Sequence, residues 1–202
     1  MSLVLDVADE SSWKSGIGTV FEEYDQLDIL VNNAGISLSR PVAESALDDW
    51  RKVMDVNLGG VFLGTKYAIE AMKYGGSVVN VASVSGITPS GGASAYCASK
   101  AEVRMFSKTV AIECADAGTG FRINVVTPGG VKTPMWENED FFQSLIAEHG
   151  GKEEAFAAMA GATPSHQFFN PEEVAETILY LASDESSHLT GIEIVLDRGH
   201  TG

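Results

Sequence analysis

The chain is poor in positive charge, in cysteine and in long apolar runs. Its 202 residues carry 13 Lys and Arg against 28 Asp and Glu, a net charge of −15. Surfaces that take DNA, RNA or anionic lipid need the opposite sign, so those partners are excluded. No apolar run approaches the roughly 18 residues of a membrane-spanning helix. Residues 1–10 have neither the basic region nor the apolar stretch of a secretory signal. The two cysteines, Cys97 and Cys114, fall on one expected helix. A rise of about 1.5 Å per residue holds them about 25 Å apart, too far for a disulfide, and a reducing cytoplasm fits. His149, His166, His188 and His200 are scattered without ligand spacing, so no metal site is expected. Glycine is plentiful, at 21 residues, which points to tight turns and close backbone approaches.

What is present is a 45% apolar chain with an alternating pattern. Strands are expected at residues 3–7, 27–31, 77–81, 122–126 and 192–196. The run LDILV at 27–31 is almost wholly apolar, as in a strand covered on both faces. Helical spacing starts after Asp9, after Ser45, near Ala95 and at Asn170-Pro171-Glu172-Glu173, where Asn supplies the cap and Pro the first position. Gly59 and Gly60 interrupt the second helix, so a break or a close packing contact is expected there. Residues 133–169 exceed an ordinary connection and carry many aromatics, which reads as a lid with Met135, Trp136 and a phenylalanine facing a pocket. With no repeat or linker, residues 1–202 read as one α/β domain with a doubly wound parallel sheet. Ligands in such sheets sit beyond the carboxyl ends of the strands. That singles out Asn32-Asn33-Ala34-Gly35, Ser83 and Pro128-Gly129.

Tyr96 and Lys100 are four residues apart on an expected helix and so share a face. A phenol with a pKa near 10 is a poor base at neutral pH. A cation within about 4–6 Å favours the phenolate and lowers that pKa by about 1–3 units. Tyr96 would then exchange a proton with an alcohol or a ketone. Ser83, at the end of the preceding strand, would bind the same oxygen. Read in isolation, Tyr-x-x-x-Lys is also the spacing of an ordinary surface pair.

The pair is accompanied by LDILVNNAGI (27–36), DVNLGGVFLGTK (55–66), GSVVNVASVSG (76–86), AYCASKAEV (95–103), RINVVTPGGVKTPM (122–135) and GIEIVLDRGHTG (191–202). In this order and at these strand ends, the chain resembles the short-chain dehydrogenase/reductase family, nearest to its bacterial secondary- and cyclic-alcohol dehydrogenases. The resemblance implies a Rossmann-like sheet, a nicotinamide cofactor and a Ser-Tyr-Lys-Asn site. It makes Tyr96 the acid/base. Lys100 would tune the phenol and hold the nicotinamide ribose, Ser83 would polarise the substrate oxygen, and Asn57 would hold a water linked to Lys100. Asp6 and Val7 would meet the adenine, and Asn33, Ala34 and Gly35 the adenosine half. Pro128, Gly129, Val131 and Thr133 would meet the carboxamide side. Each also has a plainer reading: Asn57 satisfying a helix break, Asp6 making a turn, Ser83 ending a strand.

One departure is large. The family's glycine-rich strand–turn–helix, which cradles the pyrophosphate, has no counterpart here; Gly16-Ile17-Gly18 falls inside a helical pattern. On the order of 50–60 residues, two strand–helix units, are missing at the front. The expectation is an N-terminally truncated sheet with a gap between the strands at 3–7 and 27–31. NAD or NADP would bind weakly or not at all, with no readable preference between them. The expected function is interconversion of an uncharged secondary alcohol and its ketone, by a homodimer or homotetramer. The alternative is an inactive remnant that keeps only an interaction surface.

Overall fold

The computed structural model describes residues 1–72, 75–161 and 163–201. Four parallel strands, β1 (Ile29–Asn32), β2 (Gly76–Val81), β3 (Phe121–Pro128) and β4 (Glu193–Leu196), lie in the order β1-β2-β3-β4. The helices are α1 (Glu10–Tyr24), α2 (Leu47–Met54), α3 (Gly60–Ala71), α4 (Ser94–Asp116), α5 (Asp140–His149), α6 (Lys152–Ala160) and α7 (Pro171–Ala182). β2 and β3 take the centre because their valines and isoleucine have two faces to fill. Val78 and Ile123 pack against Ala68, Met72, Ala111 and Cys114 of α3 and α4. Val79 and Val126 pack against Val174 and Leu181 of α7 on the other side. The helices therefore cover both faces, as the alternating pattern requires. Among the described residues no helix is long and apolar enough to cross a membrane.

The first part of the chain departs from expectation. Residues 3–7 form no strand, and β1 is an edge strand with Ile29 47% and Val31 38% exposed, not covered on both faces. A strand is held by its neighbour's backbone, and among the described residues nothing pairs with the outer side of β1. Residues 3–7 lie across the helices instead, so the sheet has no gap. A Cβ at Gly60 would stand 3.0 Å from Val7 Cγ2, and one at Gly16 2.8 Å from Leu5 Cδ1. The expected break at Gly59-Gly60 is real: residues Asp55–Gly59 form a π-turn between α2 and α3. Ser45 does not cap α2, which begins at Leu47; its hydroxyl donates to the Pro41 carbonyl at 3.1 Å.

Two helix starts follow their local chemistry. Asp9 caps α1 by accepting the Ser12 N–H at 2.8 Å, and Glu173 reaches back from α7 to accept the Asn170 N–H at 2.8 Å. Trp13 pins α1 to α3: its Nε1 donates to the Val7 carbonyl at 2.9 Å, and a Cβ at Gly64 would come within 2.8 Å of its ring.

Residues 133–169 fold into a 3-10 turn (Pro134–Asn138), α5 and α6. Their ends are joined where Phe169 N–H donates to Gly130 O at 2.8 Å and Lys132 N–H to Phe169 O at 2.9 Å. The aromatics pack on one another, and Phe156 and Phe168 also line an open cleft beside Lys132 and Arg198. Phe142 and Phe156 are fully buried, with ring centroids 4.8 Å apart, and Trp136 packs on Phe168 at 5.9 Å. A two-helix excursion has too little surface against the sheet, so it buries its apolar rings in a small core of its own.

Candidate active site

Tyr96 and Lys100 occupy the first two turns of α4, on the face turned to the end of β2. The Lys100 ammonium is buried and donates to the Val81 carbonyl at 2.8 Å, 5.7 Å from the centre of the Tyr96 ring. Ser83 follows β2 by two residues and is buried beside the Tyr96 phenol, whose pKa its hydroxyl draws down. The loop carrying Ser83 is seated directly on α4. At Gly86 a Cβ would stand 2.7 Å from the Lys100 carbonyl carbon, and Arg104 Nη1 donates to the Gly86 carbonyl at 2.6 Å. Any side chain at 86 would push Ser83 away from Tyr96.

Asn57 lies in the π-turn and is fully buried. Its Oδ1 accepts the Ile36 N–H at 2.8 Å, and its Nδ2 donates to the Ile36 carbonyl at 3.0 Å and to the Ser99 hydroxyl at 3.0 Å. Ser99 in turn donates to the Tyr96 carbonyl at 2.8 Å. Asn57 thus fastens the Asn33-Ala34-Gly35 loop to the turn that carries Tyr96. Both Nδ2 hydrogens are spent, and Oδ1 keeps one lone pair for a further donor. Beneath the site, Asn32 Nδ2 donates to Asn80 Oδ1 at 2.8 Å, and Asn80 Nδ2 to the Ser107 hydroxyl at 2.8 Å.

Burial pushes the Tyr96 phenol above its ordinary value of 10, and the Ser83 hydroxyl offsets this only in part. Burial also brings the Lys100 ammonium down to about 8. Burial outweighs the Ser83 hydroxyl, so the closed corner favours the neutral phenol, which is set to donate its proton.

The expected cofactor residues are placed along the same edge. Asn33 and Ala34 are exposed beyond β1, and a Cβ at Gly35 would stand 3.5 Å from Lys100 Nζ and 3.4 Å from Asn57 Oδ1. That glycine leaves room beside the ammonium that any other residue would fill. Gly129 follows β3, its N–H donating to the Leu196 carbonyl at 2.7 Å, and Pro128 ends the strand. Val131 and Thr133 begin the lid; the Val131 carbonyl accepts from Trp136 Nε1 at 2.8 Å. Asp6 is exposed and its Oδ1 accepts the Ala8 N–H at 3.0 Å, the plainer turn role. The structure therefore brings Asn57, Ser83, Tyr96, Lys100 and Gly35 together, and Val7 packs on Gly60, just past the turn that carries Asn57. Ser99, Gly86, Arg104 and Glu139 were not singled out from sequence. Ser99 could have been, since it lies three residues from Tyr96 on the same helix.

A family model described as enoyl-(acyl carrier protein) reductase matches residues 1–201. The chain is 39% identical over 201 residues to a cyclopentanol dehydrogenase of a Comamonas species, covering 98% of this chain and 76% of that protein. The chain belongs to the short-chain dehydrogenase/reductase family. This family member is also 38% identical over 199 residues to an NADP-dependent (R)-specific alcohol dehydrogenase of Lentilactobacillus kefiri, covering 97% of this chain and 75% of that protein. Its fold matches the ligand-free aldohexose dehydrogenase of Thermoplasma acidophilum with a TM-score of 0.88 and 31% identity, over 98% and 77% of the two chains. The chain is an oxidoreductase of this family, whose hydride carrier is NAD or NADP.

Proposed function

We propose that this protein interconverts an uncharged secondary alcohol and its ketone, with Tyr96 as the group that exchanges the proton. The observation that carries the reading is the convergence of Ser83, Tyr96 and Lys100 on one buried corner, with Asn57 locking the Gly35 loop beside them. NAD or NADP, when bound, supplies or accepts the hydride. Lys100 would hold its nicotinamide ribose, and Pro128, Gly129, Val131 and Thr133 would meet the carboxamide side; Asn33, Ala34 and Gly35 would meet the adenosine half, and Asp6 and Val7 the adenine. Ser83 donates to the substrate oxygen. In reduction, Tyr96 gives its phenolic proton to the ketone oxygen as the hydride reaches the carbon. In oxidation, the Tyr96 phenol first loses its proton to solvent, and the phenolate then takes the alcohol proton as the carbon gives up its hydride.

The names of the relatives support a small alcohol: one is a cyclopentanol dehydrogenase and one an (R)-specific alcohol dehydrogenase. Lys152 is the sole Lys or Arg of residues 133–169, which suits an uncharged substrate better than an acyl carrier. One domain, a cytoplasmic location and a homodimer or homotetramer complete the reading. Exposed Phe62, Met105 and Ile112 on α3 and α4 support the oligomer.

The test is oxidation of cyclopentanol at millimolar NAD or NADP, a concentration chosen to fill a weak site. Turnover that disappears in Tyr96→Phe is the expected result. No turnover with either cofactor, or unchanged turnover in the variant, contradicts the reading.

A further inference from the structure

Arg104 lies on α4 one turn beyond Lys100, and its guanidinium bridges β4 and the loop after β2. Nε and Nη2 donate to the two carboxylate oxygens of Glu193, the second at 3.1 Å. Nη1 donates to the Gly86 carbonyl at 2.6 Å. Glu193 is set from two more sides, accepting from Lys108 Nζ and from the Thr127 hydroxyl of β3, each at 2.8 Å. A guanidinium is a planar fork, so a paired bond to a carboxylate fixes the direction of its remaining donors. Here the remaining donor holds the far end of the turn Val84–Gly86, whose near end is Ser83. The Ser83 carbonyl accepts the Gly86 N–H at 2.9 Å, and its hydroxyl accepts the Ser85 N–H at 3.2 Å, so serine and glycine move as one unit. Gly86 has no side chain with which to grip α4, and residues 87–91 beyond it are exposed. Among the described residues Arg104 bonds neither Ser83 nor Tyr96, so its effect on them passes through Gly86.

We propose that Arg104 is a positioning residue: braced on Glu193, it holds the Gly86 turn so that the Ser83 hydroxyl stays against the Tyr96 phenol. This rests on the proposed alcohol–ketone chemistry, in which Ser83 and Tyr96 share the substrate oxygen. Ser83 stands between two anchors. One is the end of β2, where the Ala82 N–H donates to the Val126 carbonyl at 2.8 Å, and the other is Arg104. Without the second anchor the hydroxyl drifts, and a displacement of about 1 Å at a reacting group can cost about 10²-fold in rate. Lysine keeps the charge but is a point donor on a flexible stem, so at position 104 it can pair with Glu193 without holding Gly86. Tyr96 faces the Ser83 hydroxyl, the Lys100 ammonium and the Cys97 thiol, and of these only Ser83 sits on the turn that Arg104 holds.

The experiment is a double-mutant cycle of Arg104→Lys and Ser83→Ala, read in the oxidation of cyclopentanol. Arg104→Lys should melt close to the wild type and lower kcat by about 10–100-fold, with KM nearly unchanged. In the Ser83→Ala background the same substitution should change kcat by less than about twofold, because the group it positions is gone. Wild-type kcat in Arg104→Lys, an equal loss in both backgrounds, or loss of the fold overturns the proposal while leaving the alcohol–ketone chemistry standing. If the wild type oxidises no cyclopentanol with either cofactor, the chemistry fails, and NMR of protein labelled with ¹³C at the tyrosine ζ-carbons decides Arg104 separately. The Tyr96 signal, identified by its absence in Tyr96→Phe, should move in Arg104→Lys in the same direction as in Ser83→Ala, and no further in the double variant. A signal unmoved in Arg104→Lys, or moved equally by it in both backgrounds, overturns the proposal.

Discussion

Around Tyr96 the packing is directional: Asn57 spends its three polar bonds on Ile36 and Ser99, Lys100 bonds Val81, and Asn32, Asn80 and Ser107 form a buried chain beneath. In the lid the packing is apolar: Phe142 and Phe156 fill a small core with Trp136 and Phe168, tied to the body by the Gly130–Phe169 ladder and the Ser39–Glu139 bond. Hydrogen bonds fix the catalytic corner in angle as well as distance, whereas stacked rings give the lid a stable shape with few fixed ties. Substitutions in the first region should therefore act on rate, and those in the second on stability and substrate affinity.

The sharpest break of that comparison is Tyr96→Phe. Loss of the exchangeable proton should lower kcat by about 10²–10⁴-fold, with the melting temperature nearly unchanged. Next, Phe156→Ala should cost about 3–5 kcal/mol in a chemical-denaturation measurement, because it empties the centre of the lid core. Its KM should rise more than its kcat falls. A kcat loss as large as that of Tyr96→Phe would mean that the lid holds the catalytic groups.

Lys100→Met separates function from stability. The folded Lys100 has a pKa of about 8 against an ordinary 10.5, so below pH 8 folding carries the full cost of burying a charge. Each unit is worth about 1.4 kcal/mol, so removing the ammonium should stabilise the protein by up to about 3 kcal/mol at pH 7. The gain should shrink as pH rises from 8 towards 10.5, where the folded lysine is already neutral. Activity should be lost at every pH.

The smallest effect concerns Glu193, which joins β4 to β3 and α4. Burial alone would raise its pKa, but Arg104, Lys108 and Thr127 outweigh that and hold it at about 2. Its folded value lies below the ordinary 4.5, so it stabilises the protein above pH 4.5, and this is lost as pH falls towards 2. After allowance for solvent screening, the contribution is about 1–2 kcal/mol, read as a flatter acid unfolding curve in Glu193→Gln.

These effects also mark what the sequence made legible. The caps at Asp9 and Glu173, the apolar runs of β2 and β3, and the shared face of Tyr96 and Lys100 depend on residues near one another in the chain. The errors lie where distant neighbours decide. Residues 3–7 have strand-like composition but no strand to pair with. Ile29 and Val31 are apolar yet lie on an edge. Glu139 stands in an acidic run that reads as surface, and only the folded lid buries it.

The central claim is that this corner moves a carbinol hydride while Tyr96 takes the proton. Cyclopentanol deuterated at its carbinol carbon, incubated with the protein and NAD or NADP, tests it directly by mass spectrometry of the recovered nicotinamide. The account predicts one deuterium in the reduced nicotinamide with wild-type protein and almost none with Tyr96→Phe. Unlabelled nicotinamide from the wild type, or equal labelling by the variant, would contradict it.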